Sequence, residues 1–333
     1  MKDKLTALVL QGGGALGAYE YGVIKALFEQ KDFELDVVTG VSIGAISAAV
    51  VAGGIDDPVT SLGKLWDKLT AIDLPFIPDE IQKFIPQLSN PGMYNPNMAL
   101  YFFPFFATSY SDMFPLYSTL DSLIDINKLN SGTPLVGITA INIETGELKE
   151  FDNYNKKITF DEIIASGSLP PSFPFTKVDN KYYWDGGLFS NTPLSQAINL
   201  LEKIEDVAND VQRELIVIEL FPQKGHVPRN MNDVSNRMTQ MRFENKLSHD
   251  KKLFKFYNSS IDMVHKMDKE LPKESKIRTN PAFTELMGHK KIHKITTITP
   301  AKPELLSMAT DFTKKSLTQS IEQGYKDGVK AIK

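Results

Sequence analysis

The chain has 333 residues, no cysteine, a formal net charge of −4 and a pI near 5.8. The missing cysteines exclude disulfides, thiolate metal sites and a cysteine nucleophile, and the slight acidity argues against a nucleic-acid partner, which a basic excess would announce. A hydrophobic content of 42% suits a globular protein with ample core, no run nears the roughly 20 apolar residues of a membrane span, and the few apolar residues after the charged N-terminus fall short of a secretory signal, so the expectation is a soluble, cytoplasmic protein.

Residues 5–10 read as a first strand that stops at Gly12-Gly13-Gly14, with a helix from there to about residue 30. Residues 35–39 read as a second strand, cut short by Gly40-Val41-Ser42-Ile43-Gly44 and continued by a helix of small apolar residues to about residue 51. This alternation marks an α/β fold. Residues 71–118 lose regular periodicity and gather prolines and aromatic rings around 101–106. A long irregular connection of this kind suggests a lid, so the segment is expected to be a lid-like insertion with Phe105 and Phe106 binding substrate. Residues 134–151 alternate about Glu144-Thr145-Gly146 as a hairpin. Further strands are expected at 182–184, 214–220 and 292–298, with a polar helix over about 230–270 and a last helix over about 311–332. A strand as late as 292–298 most simply joins the same sheet, which favours one domain over 1–333.

Two readings compete for the glycines. Gly12-Gly13-Gly14-Ala15-Leu16-Gly17 fits the dinucleotide fingerprint G-x-G-x-x-G, which also needs an acid at the end of the second strand to hold a ribose. Asp36 has nearly the right spacing but stands at the strand's start, roughly 10–13 Å from that end at about 3.3 Å per residue. The end is occupied instead by Gly40-x-Ser42-x-Gly44, the pattern of a nucleophile elbow. Its serine would sit on a sharp strand-to-helix turn, at a helix N-terminus that favours developing negative charge. The glycine turn on the preceding strand would then supply oxyanion donors.

A serine nucleophile needs a base. Of the five histidines, His249, His265, His289 and His293 lie in charged text. Only His226, just past the strand at 214–220, is a candidate, and the order Ser42, Asp185, His226 matches an α/β-hydrolase triad. Asp185, in KYYWDGGLFSNTP, is the other candidate base. Its aromatic neighbours suggest an apolar wall, while Asp-Gly is equally a hairpin-turn signal.

Four blocks in this order, GGGALG at 12–17, GVSIG at 40–44, ASGSLPPSFP at 165–174 and DGG at 185–187, make the chain resemble the patatin-like phospholipases. The match covers about residues 5–225. The resemblance implies a three-layer α/β/α sandwich with a mostly parallel central sheet, and a Ser–Asp dyad without histidine. On it, Ser42 is the nucleophile, Asp185 the base, and Gly12, Gly13 and Gly14, joined by Ala15, the oxyanion hole. Gly40 and Gly44 flank the elbow. Leu16 stands where many members carry a basic residue. No cofactor and no metal are implied. The expected substrate is a phospholipid, lysophospholipid or other fatty-acyl ester, reached through peripheral contact with a membrane. Acyl transfer by the same dyad, a Ser-Asp-His esterase and a nucleotide-binding oxidoreductase are the alternatives.

Overall fold

A computed structural model describes residues 2–72, 77–82, 89–205, 207–221, 225, 227–303 and 308–332. In chain order the strands are β1 (Lys2–Leu10), β2 (Val37–Gly40), β3 (Asn95–Pro96), β4 (Ser111–Asp112), β5 (Leu135–Asn142), β6 (Leu148–Asp152), β7 (Thr176–Val178), β8 (Lys181–Asp185), β9 (Val207–Ile218) and β10 (Lys294–Ile298). One sheet runs β10-β9-β1-β2-β5-β8-β7, with β6 paired to β5, and a separate two-stranded hairpin joins β3 to β4. The run from β10 to β5 is parallel, and β6, β7 and β8 are antiparallel.

Helices cover both faces, as a parallel sheet requires. In β1 the side chains of Leu8 and Leu10 enter one core, against α1 (Gly17–Phe28), α2 (Ile43–Gly53) and α3 (Pro58–Leu69). Leu5, Ala7 and Val9, on the opposite face, pack against Leu194, Ala197 and Leu200 of the helix Leu194–Glu202. This is the three-layer α/β/α arrangement expected from the sequence. The final helix, Lys314–Ile332, lies along α1. Among the described residues no helix is long and apolar enough to cross a membrane.

Local signals account for the boundaries. Asp36 ends the loop before β2 rather than starting a strand. Its carboxylate accepts from the Thr6 N–H at 2.8 Å and pairs with Lys2 at 2.7 Å, which carries β1 back to Lys2. The helix α3, not among the expected elements, has plain start signals: Asp57 caps the N–H groups of Val59 and Thr60, and Pro58 takes the first turn. The helix Phe160–Gly167 likewise opens on a Thr159/Glu162 capping box. Of the 71–118 insertion, residues 73–76 and 83–88 lie outside the described residues. The later part of the insertion forms the β3–β4 hairpin and enters the helix Phe114–Leu123, whose Leu116, Leu120 and Leu123 are buried.

Candidate active site

The register of β1 on β2 pairs Leu10 with Gly40, so the two glycine turns leave the sheet side by side. Ser42 connects β2 to α2 with φ 56° and ψ −126°, a conformation costly for a residue with a side chain and typical of functional turns. A methyl group on Gly40 would lie 2.1 Å from the Gly44 carbonyl oxygen, and one on Gly44 would lie 2.6 Å from that of Gln11. Only glycine fits either side of the elbow. The Ser42 N–H donates to Ser166 Oγ at 2.9 Å, and Ser166 donates onward to the Thr139 carbonyl at 2.7 Å.

The first turn abuts this elbow: a methyl on Gly12 would stand 2.9 Å from Ser42 Cβ. Its path is fixed by side chains from several elements. Asn191 donates to the Gly12 carbonyl at 2.7 Å. The Gln11 side chain donates to Thr192 Oγ1 at 2.7 Å and accepts from the Leu220 N–H at 2.7 Å, while its own N–H donates to Glu20 Oε1 at 2.7 Å. Glu20 is fully buried, which raises its pKa well above the usual carboxylate value. Among the described residues the N–H groups of Gly13 and Gly14 meet no hydrogen-bond acceptor. Ala15 differs from the expectation: its N–H donates to the Ala309 carbonyl at 2.8 Å, so the C-terminal segment has taken that donor.

Asp185 ends β8, paired with Ala140 of β5. It is followed by a short helical turn, Gly186–Leu188. The Asp-Gly hairpin reading is therefore replaced by a strand end. Asp185 is 2% exposed. Burial pushes its pKa up to about 7, and hydrogen bonds from the Ser42 hydroxyl and the Gly187 N–H, the latter 2.7 Å long, hold it from rising further. A dry carboxyl that hydrogen-bonds a strained serine is placed to accept that serine's proton.

Ser42, Asp185 and the three glycines open into one cavity of about 370 Å³. Its apolar wall carries Tyr94, Phe173, Phe221, Phe243 and Phe312. Tyr94 packs on Phe173 at 5.2 Å and Phe221 on Phe243 at 4.9 Å between ring centres. Two expectations are corrected here. Phe105 and Phe106 do not line this cavity: they are 96% and 84% exposed, because the hairpin tip carrying them turns away from the core. Tyr183 and Trp184 are not part of its wall either.

His249, His265, His289 and His293 all lie away from the cavity. His265 meets the His289 carbonyl, His289 pairs with Glu202, and His293 accepts from the Arg213 N–H. His226 lies outside the described residues. The dinucleotide reading loses its ribose ligand, since Asp36 is tied to Thr6 and Lys2 at the far end of β1 and β2 from the glycine turn.

A family model described as patatin-like phospholipase matches residues 8–198. The chain belongs to the patatin-like phospholipase family. The matched span holds both glycine turns, Ser42, Ser166 and Asp185. Relatives named patatin-like phospholipase domain-containing proteins are similar over a short stretch. One from Pyricularia oryzae is 43% identical over 72 residues, 21% of this chain and 9% of the relative. One from Neurospora crassa is 46% identical over 68 residues, 20% of this chain and 8% of the relative. Among solved structures, VipD from Legionella pneumophila aligns with 99% of this chain and 67% of its own, at 15% identity and a TM-score of 0.46. The ExoU–SpcU complex of Pseudomonas aeruginosa aligns with 75% of this chain and 52% of its own, at 18% identity and a TM-score of 0.33.

Proposed function

We propose that this patatin-like protein hydrolyses the carboxylic esters of phospholipids or lysophospholipids through an acyl-enzyme on Ser42, with Asp185 as the base. The observation that carries this reading is the buried Asp185 carboxyl, hydrogen-bonded by the Ser42 hydroxyl and raised to about 7, at the floor of an apolar cavity. As Ser42 Oγ attacks the ester carbonyl carbon, its proton passes to Asp185. The carbonyl oxygen becomes an oxyanion facing the N–H groups of Gly13 and Gly14, with the α2 N-terminus behind the elbow. Collapse breaks the ester C–O bond, and Asp185 returns the proton to the departing alkoxide. Water then attacks the acyl-Ser42 carbonyl, losing a proton to Asp185. The fatty acid leaves and Ser42 regains its proton. Tyr94, Phe173 and Phe221 suit an acyl chain, since each buried CH₂ contributes about 0.8 kcal/mol.

The test combines a fluorophosphonate probe with a panel of acyl esters and phospholipids. We expect the label on Ser42, and a loss of at least about 10³-fold in kcat/KM for Ser42→Ala. His226→Gln should stay within a fewfold of the parent. Full labelling of the Ser42→Ala protein would remove the nucleophile assignment. A collapse in the His226 variant would put a Ser-Asp-His triad in place of the dyad.

A further inference from the structure

The ring-bearing hairpin that turns away from the cavity still belongs to its rim. Tyr110 and Ser111, at its base, line the cavity mouth. Their N–H groups donate to the carbonyls of Pro171 and Ser172, each at 2.9 Å. The hairpin's root is well tied: the Asn97 N–H donates to the Tyr110 carbonyl at 2.9 Å, and its side chain donates to the Ser109 carbonyl at 2.9 Å. Beyond this root the helical turn Ala99–Phe102 buries none of its residues, and Phe103 donates to Ala99 while Phe106 donates to Phe103. A hydrogen-bonded loop therefore holds Tyr101, Phe102, Phe103, Phe105 and Phe106 in solvent. Contiguous exposed aromatic surface of this kind is rare on a soluble protein without a partner. Residues 89–111 include no charged side chain.

We propose that this hairpin inserts into the headgroup and upper acyl region of a net-neutral phospholipid surface, setting the cavity mouth against the lipid. The inference rests on the lipid-ester reading, and it names the physical form in which the substrate is met. Two observations favour a lipid surface over a protein. The patch is continuous with the mouth through Tyr110, so whatever covers the rings also covers the entrance, which a substrate in a bilayer does without blocking it. The rings are joined to amphipathic tyrosines, a combination suited to the boundary between headgroups and acyl chains. The lack of any basic residue on the hairpin, whose one charged residue is Asp112 of β4, selects against an anionic surface, because nothing there would draw it.

The experiment uses the whole 333-residue chain carrying Ser42→Ala, so that vesicles stay intact, and measures sedimentation with phosphatidylcholine vesicles. The comparison protein carries Phe102→Ser, Phe105→Ser and Phe106→Ser as well. We expect the three substitutions to weaken partitioning about 100-fold or more, given the transfer energy of three rings. Binding by the parent should change little between about 0.05 M and about 0.5 M salt. Placed in the Ser42-containing protein, the same three substitutions should leave hydrolysis of a soluble short-chain ester unchanged while hydrolysis of vesicle lipid falls. Equal partitioning of the two proteins would overturn the proposal. So would a parent dimer that the substitutions dissociate, which would assign the rings to a second copy of this chain. Loss of all ester hydrolysis with ring-dependent partitioning intact would instead sink the catalytic reading and leave the docking surface standing.

Discussion

Asp185 has to be charged to accept a proton, and its surroundings resist that charge. Its ordinary value is 3.8 and its folded value about 7, so between those limits the folded protein holds a proton that the unfolded chain has released. The stability from the neutral form is therefore present below about pH 4 and is lost as pH rises through 7. Asp185→Asn removes this slope. The variant should gain on the parent as pH rises from 4 to 7 and hold a constant margin above that, at most about 4 kcal/mol at 1.36 kcal/mol per pKa unit. Urea denaturation at pH 5 and pH 8 measures it, and equal margins at the two values would mean that the carboxyl is not desolvated. The parent's kcat/KM on a soluble ester should climb about tenfold per pH unit up to an inflection near 7. Ser42, Asp185 and the glycines, which the structure brings to one cavity, stood out in the sequence because each lies in a short contiguous motif. Asn191, Gln11 and Ala309 were not, since their part rests on partners at long sequence separation, such as Asn191 on Gly12 and Ala309 on Ala15.

At the scale of elements, three pieces of chain converge on one hydroxyl. Ser166, near the end of the helix Phe160–Gly167, accepts from the elbow after β2 and donates to β5. It joins that helix to both strands beside Asp185. Ser166→Ala would leave the Ser42 N–H and the Thr139 carbonyl without that partner, at a cost of about 1–3 kcal/mol. We expect a lower Tm, together with a kcat that falls more than KM changes, because the elbow loses its brace and the cavity keeps its walls. A drop in Tm with kcat intact would make Ser166 a packing residue only. The sequence made the first two strand–turn–helix units plain, because apolar runs meet glycine there. It also carried α3 and the helix Phe160–Gly167, whose caps and whose apolar spacing, Leu62, Leu65, Trp66 and Leu69 in the first and Phe160, Ile163 and Ile164 in the second, are both legible although neither helix was among the expected elements. It also misjudged the aromatic run at 101–106. Ring content alone does not say whether a segment faces a cavity or solvent; Asn97 and Ser109, which aim the hairpin, read as ordinary loop residues.

For the whole molecule, the family match ends at residue 198, while the sheet continues through β9 and β10 and the final helix closes over α1. That helix contact is made backbone to backbone. A methyl on Gly324 would lie 2.0 Å from the Tyr19 carbonyl oxygen, and one on Gly22 would lie 2.0 Å from that of Ile321. Tyr19 also donates to Asp327 at 3.1 Å. Gly324→Val should therefore force the helices apart and lower Tm by roughly 2–4 °C, since overpacking typically costs about 1–3 kcal/mol. It should also reduce ester hydrolysis, because α1 begins where the glycine turn ends. An unchanged Tm would show that the contact is looser than the geometry indicates.

The same seam makes the two ends of the polypeptide ligands for one another. A chain severed within 271–275, between the helix Met231–Glu270 and β10, would keep on its second fragment a strand shaped for the β9 edge and a helix shaped for α1. Such fragments would reassociate by mass action, so the integrity of the glycine turn would become a function of protein concentration, as if the last fifth of the chain were a ligand for the rest.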